Sequence, residues 1–303
     1  MDFYTLIHIG AKQINKNIKG FINSDIYIYL ACQLYKSLNL AGHNLIILSN
    51  KKNYINNYIR RNFNFSIKVI NIEDQFSKQI PDFTKFKAAH AKIDCFKYFS
   101  ELDTLKPIFL IDSDVLLLKD FPSWFNTHNL KSEFIYGYDI TRHLVSGYGK
   151  HVVESDLKIF LKEPIVEWFG GEIIGASPKN FQILYKESSK IFETYLNNLD
   201  NLSHIGDETI FNVVLQKSNF KVVDLGKLNI IERKWSALCD FDQLPINTIN
   251  KISLLHLPSS KNFILRIPIF NFKILKILVI LFFYYSNYMN LLKKIIKVFY
   301  KVR

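Results

Sequence analysis

Cysteine is scarce in this chain of 303 residues: Cys32, Cys95 and Cys239 are the whole supply. Three scattered thiols exclude a disulfide framework and offer no zinc-ligand spacing, so each reads as a small packing residue in a reducing compartment. Basic residues are missing from the start. "MDFYTLIHIG" has an acid at position 2 and no cation ahead of its short apolar run, which argues for a first strand rather than a secretion signal and for a cytoplasmic protein. Glycine and proline, 11 and 8 in number, nowhere gather with serine into a linker, and no segment repeats. Residues 1–262 therefore read as one domain. Acids are absent from residues 264–303, which hold eight bases: Arg266, Lys273, Lys276, Lys293, Lys294, Lys297, Lys301 and Arg303.

Apolar residues are plentiful, at 49%, with 15% aromatic, enough for a large core and an appendage. A net charge of +12 suggests a polyanionic partner, but outside the tail there are 31 bases against 27 acids. The excess belongs to residues 263–303, so no nucleic-acid groove is expected on the main domain. In "KILVILFFYYSNYMNLLKK" only 16 residues separate Lys276 from Lys293. That is about 24 Å of helix against a hydrocarbon core of about 30 Å, and Ser286, Asn287 and Asn290 interrupt it. The tail is expected to be a basic amphipathic helix lying on an anionic membrane surface, with Phe282, Phe283, Tyr284 and Tyr285 at the headgroup boundary.

The pattern from the start is strand, helix, strand. "DFYTLIHIG" is a strand; Ser24 and Asp25 cap an apolar-periodic helix to Leu40, and "HNLIILSN" follows the Gly42 stop as a buried-type strand. Residues 51–62 read as helix, 65–72 as strand and Phe86–Tyr98 as helix. Further strands are expected at 107–111, 134–138, 172–176, 221–224 and 252–256, and helices at 183–200 and 206–217. Strands alternating with helices indicate an α/β fold with a mainly parallel, doubly wound sheet of Rossmann type.

"PIFLIDSDVLLLKDF" (107–121) puts Asp112 and Asp114, with Ser113 between them, at the C-terminal end of a buried strand. In open α/β sheets that edge binds ligands, and two carboxylates there suit a hard cation or a metal-bound phosphate. "KFKAAHAKIDCFKYF" points Lys92 toward the same edge. "WFGGEIIGASPKNF" carries Gly170, Gly171 and Glu172; "HIGDETIFNVVL" starts a helix with Asp207 and Glu208; "LLHLPSSK" ends a strand at His256, with Lys261 beyond it.

These segments, in this order, resemble the GT-A glycosyltransferases, in particular glycosyltransferase family 8 with its DXD motif. The resemblance spans about residues 1–262. It implies a divalent ion, Mn²⁺ or Mg²⁺, on Asp112, Asp114 and His256, binding the diphosphate of a nucleotide-sugar donor, with a UDP-sugar expected. It further implies Ile9, Gly10, Ala11, Lys92, Ser113, Gly170, Gly171 and Lys261 as donor-binding positions, the two glycines letting the sugar approach the backbone, and Asp207, Glu208 and Glu172 as catalytic candidates. The expected activity is transfer of a hexose to a hydroxyl of a surface glycan such as lipopolysaccharide or capsule, or of a lipid-linked glycan, with retention of configuration. Where this chain has "HIGAKQ" the family has an acid and a Tyr, so nucleobase recognition by residues 9–12 has no motif behind it.

Two readings compete within this frame: an inverting enzyme with Asp207, Glu208 or Glu172 as its base, and a non-catalytic membrane-bound scaffold. A phosphatase of the haloacid-dehalogenase type also uses an acid-x-acid strand end. It would want Thr or Val where Leu116 stands, and its nucleophile strand comes earlier in the domain.

Overall fold

A computed structural model of the chain describes residues 1–10, 25–82, 84, 86–125, 129–236 and 245–301, with side chains to residue 293. Ala11, Ser24 and Cys239 lie outside the described residues, as do the side chains of Lys294, Lys297, Lys301 and Arg303.

The opening follows the apolar pattern. β1 (Asp2–Leu6), α1 (Asp25–Asn39), β2 (Asn44–Ser49), α2 (Lys52–Asn62) and β3 (Lys68–Asn71) alternate, and the three strands pair in parallel. A 3-10 turn at Lys87–Ala91 runs into α3 (Lys92–Ser100), then β4 (Ile108–Ile111) joins the other side of β1, again parallel. β4 is buried at every position, as a strand covered on both faces must be. After β5 (Val115–Leu117) come β6 (Ile135–Gly137), α4 (Thr141–Tyr148), α5 (Lys150–Lys158) and β7 (Ile173–Ala176). α6 (Pro178–Asn197) starts where Ser177 accepts the Asn180 amide and Pro178 takes the first helical position, where a missing N–H costs nothing. α7 (Asp207–Lys217), β8 (Val222–Asp224), β9 (Ile231–Arg233), β10 (Leu254–His256), α8 (Lys261–Arg266) and α9 (Phe272–Lys301) complete the chain.

The main sheet has seven strands in the order β3-β2-β1-β4-β7-β6-β8. All run the same way except β7, which is antiparallel to both β4 and β6. This reversal carries the start of β7 to the edge where β4 ends. A second sheet, β5-β10-β9, pairs β10 antiparallel with β5 and parallel with β9.

The small sheet is apolar on both sides, with alternate residues facing different cores. Val115, Leu117 and Leu254 join the main core. Leu116 and Leu255 face a second core with Ile26 and Leu30 of α1, Ile264 of α8, and Leu275, Val279 and Phe283 of α9. The apolar packing of α8 and α9 on the body thus runs as far as Phe283, and α8 begins at Lys261, ahead of the boundary the sequence suggested. The opposite side of α9 is open: Ile274, Ile277, Leu281, Tyr284, Tyr288 and Leu291 are each more than two-fifths exposed.

Candidate active site

Five strand ends meet at one place, and the pairing explains why. Ile111 of β4 pairs with Ile173 of β7, so Asp112 lies beside Glu172 and its amide donates to the Glu172 carbonyl at 2.9 Å. Val115 of β5 pairs with His256 of β10, and His256 pairs in turn with Arg233 of β9. Asp112, Asp114, Glu172, Arg233 and His256 converge although up to 144 positions separate them in sequence.

Ligand atoms of Asp112, Asp114 and His256 all lie within 4.8 Å of one another. Atoms sharing one ion at about 2.1–2.3 Å are separated by at most about 4.6 Å, so a small closure of the cluster suffices. Two carboxylates and an imidazole are donors that could hold a divalent metal ion. Asp114 and His256 are buried and Asp112 is half-buried, which leaves that side for a ligand's approach. His256 Nε2 is 3.3 Å from Asp114 Oδ1, while Nδ1 lies 3.4 Å from Glu172 Oε1.

Cations sit on both aspartates. Lys261 contacts Asp114 Oδ2; burial holds its ammonium down at about 8, against the pull of Asp112. Lys92 bonds the Gly171 carbonyl at 2.7 Å, Asp112 Oδ1 at 2.9 Å and Asp207 Oδ2 at 3.0 Å. Burial would lower Lys92, but the two carboxylates outweigh it and keep it charged. Lys92 thus ties the β4 end to the α7 start, through its hydrogen bond to Gly171 and its ion pairs with Asp112 and Asp207.

The acids expected to be catalytic are not equivalent. Glu172 is fully buried, gripped by Arg233 through Nε–Oε1 at 2.8 Å and Nη2–Oε2 at 2.6 Å. Burial would raise its carboxyl, yet Arg233 and His256 hold it at about 2. Glu172, one of the catalytic candidates, is thus enclosed, with Arg233 on one side and the His256 ring on the other. Glu208 takes the Gly171 N–H at 2.9 Å, His204 at 3.0 Å and Arg233 at 3.2 Å. Burial opposes ionisation there as well, but His204 and Arg233 keep Glu208 well below the usual carboxylate range. Asp207 differs, because burial outweighs Lys92 and raises it. It is placed from behind: Tyr195 accepts the Gly206 N–H at 3.0 Å and bonds His90 Nε2 at 2.8 Å.

The two glycines serve packing inside this network. A Cβ on Gly170 would lie 1.9 Å from Glu172 Oε2, and one on Gly171 would lie 2.7 Å from Asp207 Oδ2 and 2.8 Å from Lys92 Nζ. Their lack of a Cβ leaves room for these ion pairs. At the β1 end, Asn50 clasps the Ile9 backbone with bonds of 2.9 and 3.0 Å, and buried His8 meets Asp74 at 2.8 Å and Ser77 at 3.0 Å. Gly10 follows Ile9 at this edge, and Ser113 is buried in the turn between the aspartates. Sequence reasoning misses Arg233 and His204. The one signal for Arg233 is "IIERKW", charges set inside an apolar run.

No family model matches this chain, and no curated protein matches its sequence. Among solved structures, that of an active-site mutant of LgtC is similar, with 15% identity and a TM-score of 0.51, over 77% of this chain and 75% of that one. This is the GT-A glycosyltransferase fold. A complex of the galactosyltransferase LgtC with donor and acceptor sugar analogues is 16% identical over 77% and 76%, with a TM-score of 0.49. The bifunctional glycosyltransferase WbbM is 11% identical over 84% of this chain and 45% of that one, also at 0.49. The mainly parallel, doubly wound GT-A architecture expected from the sequence is what the chain has.

Proposed function

We propose that this chain is a metal-dependent GT-A hexosyltransferase, taking its sugar from a nucleotide-diphosphate donor, with UDP-sugars first in line, and passing it to a hydroxyl of a surface or lipid-linked glycan. The observation carrying this reading is the meeting of Asp112, Asp114 and His256, from three separate strand ends, at the ligand-binding edge of a GT-A sheet. A divalent ion held by these three would offset the charge of the departing diphosphate. Asp114 and His256 are fixed by β5–β10 pairing, so their donor atoms are pre-set and little reorganisation is needed when charge develops. Lys261, the first residue of α8, is a cation on a flexible stem that could serve a donor phosphate if a bound ion claimed Asp114.

Retention is supported by the state of the acids. Glu172 and Glu208 are ion-paired and held ionised well below neutrality, which makes them poor proton acceptors. The departing phosphate can itself take the acceptor's proton on the same face. The inverting alternative rests on Asp207, whose carboxyl is raised and partly open. The open apolar side of α9 and the basic charge of this segment support a peripheral place for the enzyme at the cytoplasmic face of a membrane.

The test is a panel of nucleotide-sugars with Mn²⁺, reading released nucleoside diphosphate. At least one donor is expected to turn over, with EDTA stopping the reaction and Asp114→Asn reducing it by at least about a hundredfold while circular dichroism stays unchanged. Turnover in EDTA, or wild-type rates in Asp114→Asn, would remove the metal assignment.

A further inference from the structure

Ser286 and Asn290 interrupt the most apolar helix of the chain, and the structure shows what they meet. Four residues apart, they share one face of α9, and both donate to the same acceptor. The Ser236 carbonyl receives the Ser286 hydroxyl and, at 2.9 Å, Asn290 Nδ2. Both lone pairs of that oxygen are thereby used.

Ser236 is a junction on its other sides too. Its N–H donates to Ser259 Oγ at 3.1 Å, and the Ser260 hydroxyl donates to its Oγ at 2.8 Å. Two residues earlier, the Lys234 N–H donates to the His256 carbonyl at 3.0 Å, prolonging the β9–β10 pairing, and the Lys234 ammonium lies 5.8 Å from the centre of the Phe283 ring. Segment 234–236 is therefore laced to 256–260 along one edge and pinned to α9 along the other. The residue after Ser260 is Lys261, whose ammonium reaches Asp114.

Resting on the glycosyl-transfer reading above, we propose that Ser286 and Asn290 are positioning residues for the donor diphosphate. They hold Ser236, Ser236 holds the 256–260 loop, and that loop presents Lys261 and the backbone of His256 to the metal-diphosphate site. The inner side of α9 is in this respect part of the donor site, separate in task from its exposed side. Losing the pair of hydrogen bonds to the Ser236 carbonyl is expected to weaken diphosphate binding about tenfold, which corresponds to about 1.4 kcal/mol.

Full-length protein tests this with UDP plus Mn²⁺ and inorganic pyrophosphate plus Mn²⁺ as calorimetric probes, beside steady-state kinetics on the donor found to turn over. Ser286→Ala combined with Asn290→Leu is expected to raise Kd for the probes and KM for the donor about tenfold. The kcat should stay within about twofold, with circular dichroism and vesicle flotation unchanged. Ser286→Thr, which keeps the hydroxyl, is expected to bind like the parent. Parent-like Kd and KM in the double variant, beside an active parent, would overturn the proposal alone. A uniform loss of active protein with no change in KM or Kd per folded molecule would also overturn it, by showing a purely structural role. A parent that neither binds the probes nor turns over any nucleotide-sugar would overturn the glycosyl-transfer reading and this proposal with it.

Discussion

At Arg233 one guanidinium faces two buried carboxylates, Glu172 bidentately and Glu208 at 3.2 Å. Removing the cation would strand both charges, and breaking a buried pair in this way costs about 3–5 kcal/mol. Arg233→Met is therefore expected to lower unfolding stability by that order in urea titrations, whereas Glu172→Gln, which keeps hydrogen bonds to the guanidinium, is expected to cost less. Next along β9, Glu232 turns the other way. Burial raises its carboxyl to about 7, with Lys234 and Arg142 pulling against the rise, and its Oε1 has no hydrogen bond among the described residues. The folded chain thus holds a proton that an unfolded glutamate releases near 4.5. Stability is then lost as pH climbs from about 4.5 to about 7, where native Glu232 ionises in turn. Glu232→Gln removes that loss. Its advantage over the parent should be near zero at pH 4.5 and reach at most about 3 kcal/mol above pH 7, read from urea unfolding at pH 5 and pH 8. An advantage that shrinks with rising pH would contradict the assignment. The Asp112–Asp114 pair is legible in the sequence because carboxylates at the end of an apolar run stand out locally. Arg233 is not, because its meaning depends on which strand β9 lies beside, and that pairing is long-range.

Between elements, the antiparallel β7 does most to build the site. Its reversal puts Gly170, Gly171 and Glu172 against the end of β4, where Lys92 and Asp207 close over Gly171. Gly171→Ala is expected to separate Lys92 from Asp207 and shift the α7 start. Displacements of this size cost about a hundredfold in rate, so donor turnover should fall by that order with circular dichroism unchanged; activity within twofold of the parent would show that the contact gives way without consequence. Most strands and helices can be read from periodicity: β1, α1, β2, α2 and β4 fall where the apolar pattern puts them. β9 and β5, three residues each, are too short to leave a period, and the second sheet they form with β10 is hidden with them. The 3-10 turn ahead of α3 reads as helix, because helical spacing over a few residues does not separate the two. His256 can be named from its strand end, but its approach to Asp114 requires the β5–β10 pairing.

For the whole molecule the question is what covers the outer side of α9. Leu275, Val279 and Phe283 are buried against α1, α8 and the small sheet, at most 2% exposed, while Ile274, Ile277, Leu281, Tyr284, Tyr288 and Leu291 recur at alternating steps of three and four on the other side and stand open. Residues 272–293 are long and apolar enough to cross a bilayer, with a mean hydropathy of 1.4, but a crossing helix would have to give up its buried contacts with the body. Lying flat keeps them. A second copy of the helix would set bases against bases, since residues 264–303 hold eight of them and no acid; an anionic leaflet meets the same charges with about 1 kcal/mol of attraction per Lys or Arg near its surface. Tyrosines midway along the open face suit the headgroup boundary. Cutting the chain at Asn262 would strip Leu116 and Leu255 of their cover, so the sound test leaves the helix in place. Full-length protein is expected to float with vesicles containing anionic lipid and to be released in part by high salt. Leu281→Glu with Tyr284→Glu is expected to stay at the bottom of the gradient, with donor hydrolysis within about twofold of the parent, because both side chains stand open on the side of α9 away from the body. Equal flotation of the two proteins, or a stable dimer in solution that the double variant abolishes, would show that something other than lipid covers this face, and resistance of the parent to carbonate extraction would show a helix that crosses the bilayer instead of lying on it.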